Sequence, residues 1–237
     1  QACGLPSSDC IMCIVDYHAI TIDYDRTTML DATLATAMLG MACGLDPERC
    51  TMFIQSHVME TLELAWIFNT VTSLGVLERM TQFKDKSSQH TQNINAGLFT
   101  YPVLQAADIL GVKADGVPVG EDQVAHVELT REVARRFNYV YGREADFEEK
   151  AETAATKMGK KQAKLYRSLR KSYQETGDDE ALIRAKALLG EQQNITLGDR
   201  ERLLGYIEGV GKIILPEPES LLTKASKMPG LDGQKMS

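Results

Sequence analysis

A chain of 237 residues, 43% hydrophobic and 25% charged, has the length and composition of one large globular domain or of a domain with an appendage. Its 26 Lys and Arg against 33 Asp and Glu leave a net charge of −7, which excludes nucleic-acid binding by bulk charge. Any such contact must use a local basic patch. No apolar run reaches the length of a membrane-spanning helix, and no charged-then-apolar start reads as a signal peptide, so a cytoplasmic, thiol-reducing setting is expected.

Residues 1–9 are polar and turn-rich and read as a loop. Cys10 to Asp16 (CIMCIVD) reads as a strand. Cys3, Cys10 and Cys13 have a C-x6-C-x2-C spacing that invites a metal reading. Strand alternation does not converge the sulfurs of Cys10 and Cys13, so buried, reduced thiols are the expectation. Tyr17-His18-Ala19 follows the strand directly, where open α/β sheets meet their ligands. By residue type alone, a lone His there is structural or exposed.

Asp25 caps a helix expected over 26–42, with Met29, Leu30, Leu34, Met38 and Met41 on one broad face and Gly44 ending it. Residues 51–55 read as the next strand. The helix expected over 58–70 has Leu62, Leu64, Ala65, Trp66 and Phe68 as core positions. Residues 77–83 continue helical, Lys84 to Ser87 is a charged surface, and 88–94 is polar.

The chain is organised around residues 97–138. Tyr101 to Leu110 has the apolar density of a buried helix with one carboxylate, Asp108, set into it. A carboxylate amid Ala106, Ala107, Ile109 and Leu110 is costly to bury without a donor; the alternative is a place on the helix's exposed edge. Gly116 to Val119 suits a short strand. Gly120-Glu121-Asp122 then opens a helix with Val124, Val127, Val133 and Phe137 at helical spacing. Strand, glycine turn and helix start together offer unpaired N–H groups beyond a strand end. Glu121 and Asp122 disfavour a bare phosphate cradle and suit ribose, an amine or a metal-bound water; the plainer reading is that they only favour the helix start.

The order strand, helix, strand, helices, strand, helix argues an α/β fold with a parallel sheet and flanking helices. After Asn138 the composition turns to helix formers. Residues 145–190 divide at Thr176 to Asp179 into two helices. Lys157, Lys160, Lys161, Lys164, Arg167, Arg170 and Lys171 make the first one basic, either as a solvated face or as a phosphate contact. Residues 199–207 read as a short helix, Gly209 and Gly211 bracket a turn, and 213–215 reads as a strand.

The runs CIVDYHAIT, FIQSHV, ERMTQFKDKS, NINAGL, TYPVLQAADIL and VPVGEDQVAHVELTREVARRFN stand in the order and form of one family. They resemble the bacterial tryptophan–tRNA ligases, class I aminoacyl-tRNA synthetases, from Cys10 to about Gly142 and again over the last dozen residues. The resemblance implies a Rossmann-like catalytic domain over 1–142, a mostly helical insertion over 143–215, and a return segment over 216–237. The return segment begins the Lys-Met-Ser-Lys-Ser loop. Only its first part is present, and the His-Ile-Gly-His-type signature would precede residue 1. The 237-residue chain is therefore expected to be a fragment, deficient in adenylate synthesis.

By the same resemblance, Asp108 accepts the indole N–H of tryptophan, and Tyr101 and Gln123 meet its ammonium group. His18 is a pocket wall residue, Gln82 lies near the amino-acid site, and Val15, Val117 and Val119 line the indole slot. Gly120, Glu121 and Asp122 face the ribose and adenine of ATP, while Lys86 and Lys235 serve the pyrophosphate end, Lys235 as the catalytic residue. Magnesium, tRNA(Trp) and a cytoplasmic homodimer are implied with them. Gln105 departs from the family, where a methionine is expected against the indole; an inward-pointing amide there needs partners. Three rivals remain: a tyrosine-specific relative, a tryptophan-binding fragment or paralogue without ligase activity, and a generic nucleotide-binding protein.

Overall fold

The computed structural model describes residues 10–80 and 95–222. The expectations for Gln82, Lys86 and Lys235, and for the loops at 1–9 and 88–94, lie outside them. The chain divides into two compact units, residues 1–133 with 217–237, and residues 134–216.

In the first unit, β1 (Cys10–Ile14) and β2 (Cys50–Ile54) pair in parallel, Cys10 opposite Cys50 and Ile14 opposite Ile54. A second parallel pair joins β3 (Gly116–Val119) to β4 (Glu219–Leu222). This is the α/β class expected, with helical segments following β1, β2 and β3. Short α1 (Asp16–Ala19) leaves β1 almost at once, and α2 (Met29–Ala42) returns the chain to β2. Helices α3 (Glu60–Val71) and α4 (Leu74–Arg79) follow, then α5 (Ala96–Gly111) and α6 (Val124–Tyr141), of which residues from 134 on count with the second unit.

Two apolar faces differ from expectation. On α2, Leu30, Leu34, Met38 and Met41 are 67%, 48%, 60% and 45% exposed, so the broad face is not core. On α3, Ala65 and Phe68 are buried, whereas Leu62 and Trp66 are exposed. The helix packs against α5 with the stripe that contains Leu64, Ala65 and Phe68, and Trp66 lies around the cylinder from it.

The capping of α5 fixes where Asp108 sits. The Asn95 side chain accepts from the Leu98 N–H (2.9 Å) and donates to the Thr21 carbonyl (3.0 Å). That joins the helix start to the loop after β1. Pro102 lies inside this helix and removes one ladder donor.

The second unit holds α7 (Phe147–Lys157), α8 (Lys160–Thr176), α9 (Asp179–Gly190) and α10 (Leu197–Glu208) around a core that includes Ala151, Ala155, Tyr166, Ala185, Leu189, Leu203 and Ile207. Residues 145–190 thus form three helices, not two. The extra break is Gly159, whose φ of +86° interrupts the helical backbone. Residues 213–215 are not a strand. The Asn138 side chain accepts from the Ile214 and Leu215 N–H groups and donates to the Leu215 carbonyl, doing locally what a neighbouring strand would do.

Candidate functional site

Positions 101, 105 and 108 are spaced four and three apart, so Tyr101, Gln105 and Asp108 share one face of α5. Asp108 faces two residues that lie just beyond strand ends: His18, on α1 after β1, and Gln55, the first residue past β2. This is the crevice geometry of open α/β sheets.

His18 Nε2 is 2.9 Å from Asp108 Oδ2. Gln55 Nε2 donates to Oδ1 at 2.7 Å and Oδ2 at 2.9 Å. The Asp108 side chain is 11% exposed. It is therefore an enclosed, well-donated group, and the exposed-edge alternative does not hold. Since the carboxylate only accepts, His18 carries its proton on Nε2 here. Two carboxylate oxygens offer about four acceptor directions, and three are taken. Oδ1, bonded to Gln55 alone, keeps one to spare.

A second chain of hydrogen bonds adjoins the first. Burial pushes the Tyr101 hydroxyl up to about 12, so it keeps its proton at neutral pH. Its oxygen is 3.1 Å from Nε2 of His126, which is fully buried. His126 Nδ1 is 2.9 Å from Gln123 Oε1. Gln123 in turn donates from Nε2 to Asp122 Oδ2 at 3.0 Å. Asp122 can only accept, which fixes the Gln123 amide; its Oε1 then requires the proton on His126 Nδ1, and Nε2 is left to accept from Tyr101. Gln105 donates to the same Gln123 oxygen at 3.4 Å, so its amide finds the inward partner it needs. The Tyr101 and His18 rings meet edge to face with centroids 6.1 Å apart, which brings the two chains of bonds side by side.

Around them, Val15 is exposed, while Val117 and Val119 on β3 are half-buried. Gly120 precedes a 3₁₀ turn, Glu121–Gln123, that feeds α6; Glu121 and Asp122 are exposed in that first turn. Burial, reinforced by the charges of Asp108 and Asp16, pushes the Cys13 thiol up to about 12. The structure therefore gathers His18, Tyr101, Gln105, Asp108 and Gln123 into one polar cluster. Sequence reasoning missed two members, Gln55 and His126. Their signals were slight: a glutamine one residue past a strand, and a histidine in the first turn of α6, three residues after Gln123.

A carboxylate crevice past parallel strands, beside a glycine turn, marks a small-molecule-binding α/β domain of the nucleotide-binding kind. The chain matches the family described as tRNA synthetases class I (W and Y) over residues 5–169, and it belongs to that family. It is 53% identical over 231 residues to a tryptophan–tRNA ligase of Ralstonia nicotianae, covering 96% of this chain and 58% of that relative's length. Among solved structures, it is similar to a Campylobacter jejuni tryptophanyl-tRNA synthetase complexed with ADP and tryptophan, at 27% identity and a TM-score of 0.61. That match covers 97% of this chain and 50% of the other. The Mycoplasma pneumoniae tryptophanyl-tRNA synthetase is 37% identical with a TM-score of 0.54, over 56% of this chain and 40% of its own.

Proposed function

We propose that the polypeptide containing this chain activates L-tryptophan with ATP and transfers it to tRNA(Trp). The observation that carries the reading is the enclosed Asp108 carboxylate with an acceptor direction left on Oδ1. Indole has one donor and no acceptor. A buried acceptor selects for that donor, because a ligand without it leaves the site unpaired. A tyrosine-reading pocket must instead satisfy a phenol hydroxyl, which both donates and accepts.

In this reading the Tyr101 oxygen, its proton turned toward His126, presents lone pairs to the substrate ammonium, and Gln123 assists it. His18 walls the pocket, with Val15, Val117 and Val119 along the indole. Gln82 serves the amino-acid end. Gly120, Glu121 and Asp122 take the ribose and adenine, where carboxylates suit sugar hydroxyls better than phosphates do. Lys86 and Lys235 meet the pyrophosphate end.

The tryptophan carboxylate oxygen attacks the α-phosphorus. The bond to the bridging oxygen of the leaving pyrophosphate breaks, and tryptophanyl-adenylate forms. A ribose hydroxyl at the tRNA 3′-end then attacks the acyl carbon, and AMP leaves. No covalent enzyme intermediate is needed; the protein positions the reactants and stabilises charge. Among the described residues no group of three His, Cys, Asp or Glu side chains is placed to hold a metal. Magnesium, implied by the family resemblance, would be carried on the ATP phosphates and would neutralise charge on the leaving group. We also take the protein to be a cytoplasmic homodimer, on the family resemblance.

The test is tryptophan-dependent ATP–pyrophosphate exchange by the complete polypeptide. Exchange with tryptophan and not with tyrosine supports the reading. Tryptophan binding without exchange assigns a binding paralogue instead, and ATP binding without tryptophan binding assigns a generic nucleotide-binding protein.

A further inference from the structure

Gln55 is fully buried and lies one residue past the end of β2. Its Oε1 accepts the Tyr17 backbone N–H at 3.1 Å. A backbone N–H can only donate, so this contact fixes which way the amide faces. Nε2 must then point its hydrogens at Asp108, and it lies within 2.9 Å of both carboxylate oxygens.

The anchoring continues behind Gln55. The Asp16 side chain accepts from the N–H groups of Tyr17 (3.1 Å) and Ser56 (3.0 Å), which ties the chain just beyond β1 to the chain just beyond β2. Gln55 therefore transmits the position of two strand ends to one carboxylate on α5. Its two contacts resist rotation of that carboxylate about its own bond, while the His18 contact falls on Oδ2 alone. The group that decides where Oδ1 points is Gln55.

We infer that Gln55 is a positioning residue for substrate choice: it aims Asp108 Oδ1 so that a ligand N–H is read by direction as well as by presence. The inference rests on the proposed reading of Asp108 as the indole acceptor. Gln55 itself touches no reacting atom. It acts through Asp108, and its effect is on discrimination between ligands that differ only in that donor.

The experiment compares tryptophan with β-(3-benzothienyl)alanine, in which sulfur replaces the indole N–H. Dissociation constants for both are measured by calorimetry on the complete polypeptide, as wild type, Asp108→Asn and Gln55→Met. The wild type is expected to prefer tryptophan strongly. Gln55→Met, which keeps the length and removes the amide, is expected to lower that preference about tenfold or more, mainly by weakening tryptophan. A merely structural role would weaken both ligands together and leave the ratio unchanged, which overturns the inference. If Asp108→Asn abolishes the preference and Gln55→Met preserves it, Gln55 is excluded while the reading of Asp108 stands. If the wild type shows no preference, that reading falls and takes the inference with it. A measurement on wild type covers the case in which Gln55→Met does not fold. The side-chain amide resonances of Gln55 are expected to shift on adding tryptophan and to shift far less on adding the sulfur analogue; equal shifts count against the positioning role.

Discussion

His18 and Asp108, ninety positions apart in the chain, meet with Nε2 2.9 Å from Oδ2, each side chain less than one-fifth exposed. The contact joins the chain just beyond β1 to the last turn of α5. Replacing Asp108 by alanine strands two donors, Nε2 of the half-buried His18 and Nε2 of the buried Gln55, as well as the ligand's own. Tryptophan affinity is expected to fall by about 2–3 kcal/mol, the scale of a hydrogen bond to a charged partner. Titration calorimetry on the complete polypeptide checks it, and unaltered affinity would reject the assignment of Asp108.

Cys13 sits close enough to Asp108 and Asp16 for their charges to add to the effect of burial, and its thiol is pushed up to about 12. At pH 8 only on the order of one thiol in ten thousand would then be thiolate, the reactive form. Cys43 is exposed at the end of α2. Iodoacetamide is expected to label Cys43 well before Cys13 in the native protein. Peptide mass spectrometry reads the order, and equal labelling rates would show the thiol to be less shielded than its surroundings indicate.

The strand–turn–helix run at 116–138 and the apolar helix around Asp108 were legible because their patterns are local: periodicity, a glycine, a lone acid. The partners of Asp108 were not, since Gln55 and His18 reach it only once β1 and β2 lie side by side. The exposed faces of α2 and α3 misled for the opposite reason. Leu34 and Trp66 have the spacing of core residues, but the sequence does not say which stripe of a helix its neighbours will cover. Asn138 shows a third kind of failure. A β-branched run at 213–214 reads as a strand, yet its N–H groups go to the Glu201 carbonyl and to the Asn138 side-chain amide instead.

The second unit leaves no room for a side chain at Gly205. A Cβ there would run into the backbone carbonyl of Gly211, and that stretch of backbone is also held by the hydrogen bond from Val210 N–H to Gly205 O. Gly205→Ala is accordingly expected to destabilise the helical unit by at least about 2 kcal/mol, since backbone must move to admit it. Gly190→Ala is the control, because nothing lies within 4 Å of its Cβ position. Urea unfolding of the two variants should separate them; coincident curves would contradict the packing at Gly205.

The same unit carries an acid-sensitive network. The Arg202 guanidinium holds the Glu144 carboxyl below the usual carboxylate range. Burial opposes ionisation of Asp199, but hydrogen bonds from Lys157 and Thr196 outweigh it and hold that carboxyl low as well. Unfolding releases both groups to their ordinary values near about 4. Depressed folded values mean the unfolded chain takes up protons first, so this stability is whole above about pH 5 and drains as pH falls through the folded values. Amide protection factors in α10, which correct for the slower intrinsic exchange in acid, are expected to fall between about pH 5 and pH 3. Glu144→Gln should flatten part of that dependence, and an identical pH slope in parent and variant would remove Glu144 from the network.

Four of the seven cations grouped around α8 already have partners within the second unit. Lys157 bonds Asp199, Arg167 pairs with Glu152, Lys171 lies 3.9 Å from Glu175, and Arg170 donates to the Tyr206 carbonyl and stacks over its ring. Lys160, Lys161 and Lys164 are exposed and bonded to no acid among the described residues. If this helix meets tRNA phosphates, these three lysines supply the unspent charge. Changing all three to glutamine is then expected to lower the slope of log affinity against log salt by about 2–3, close to one for each phosphate no longer neutralised. Lys171→Gln alone should change it far less, because Glu175 already offsets that charge. A triple variant that binds tRNA with the parent's salt dependence would return the helix to the plainer role of a solvated face.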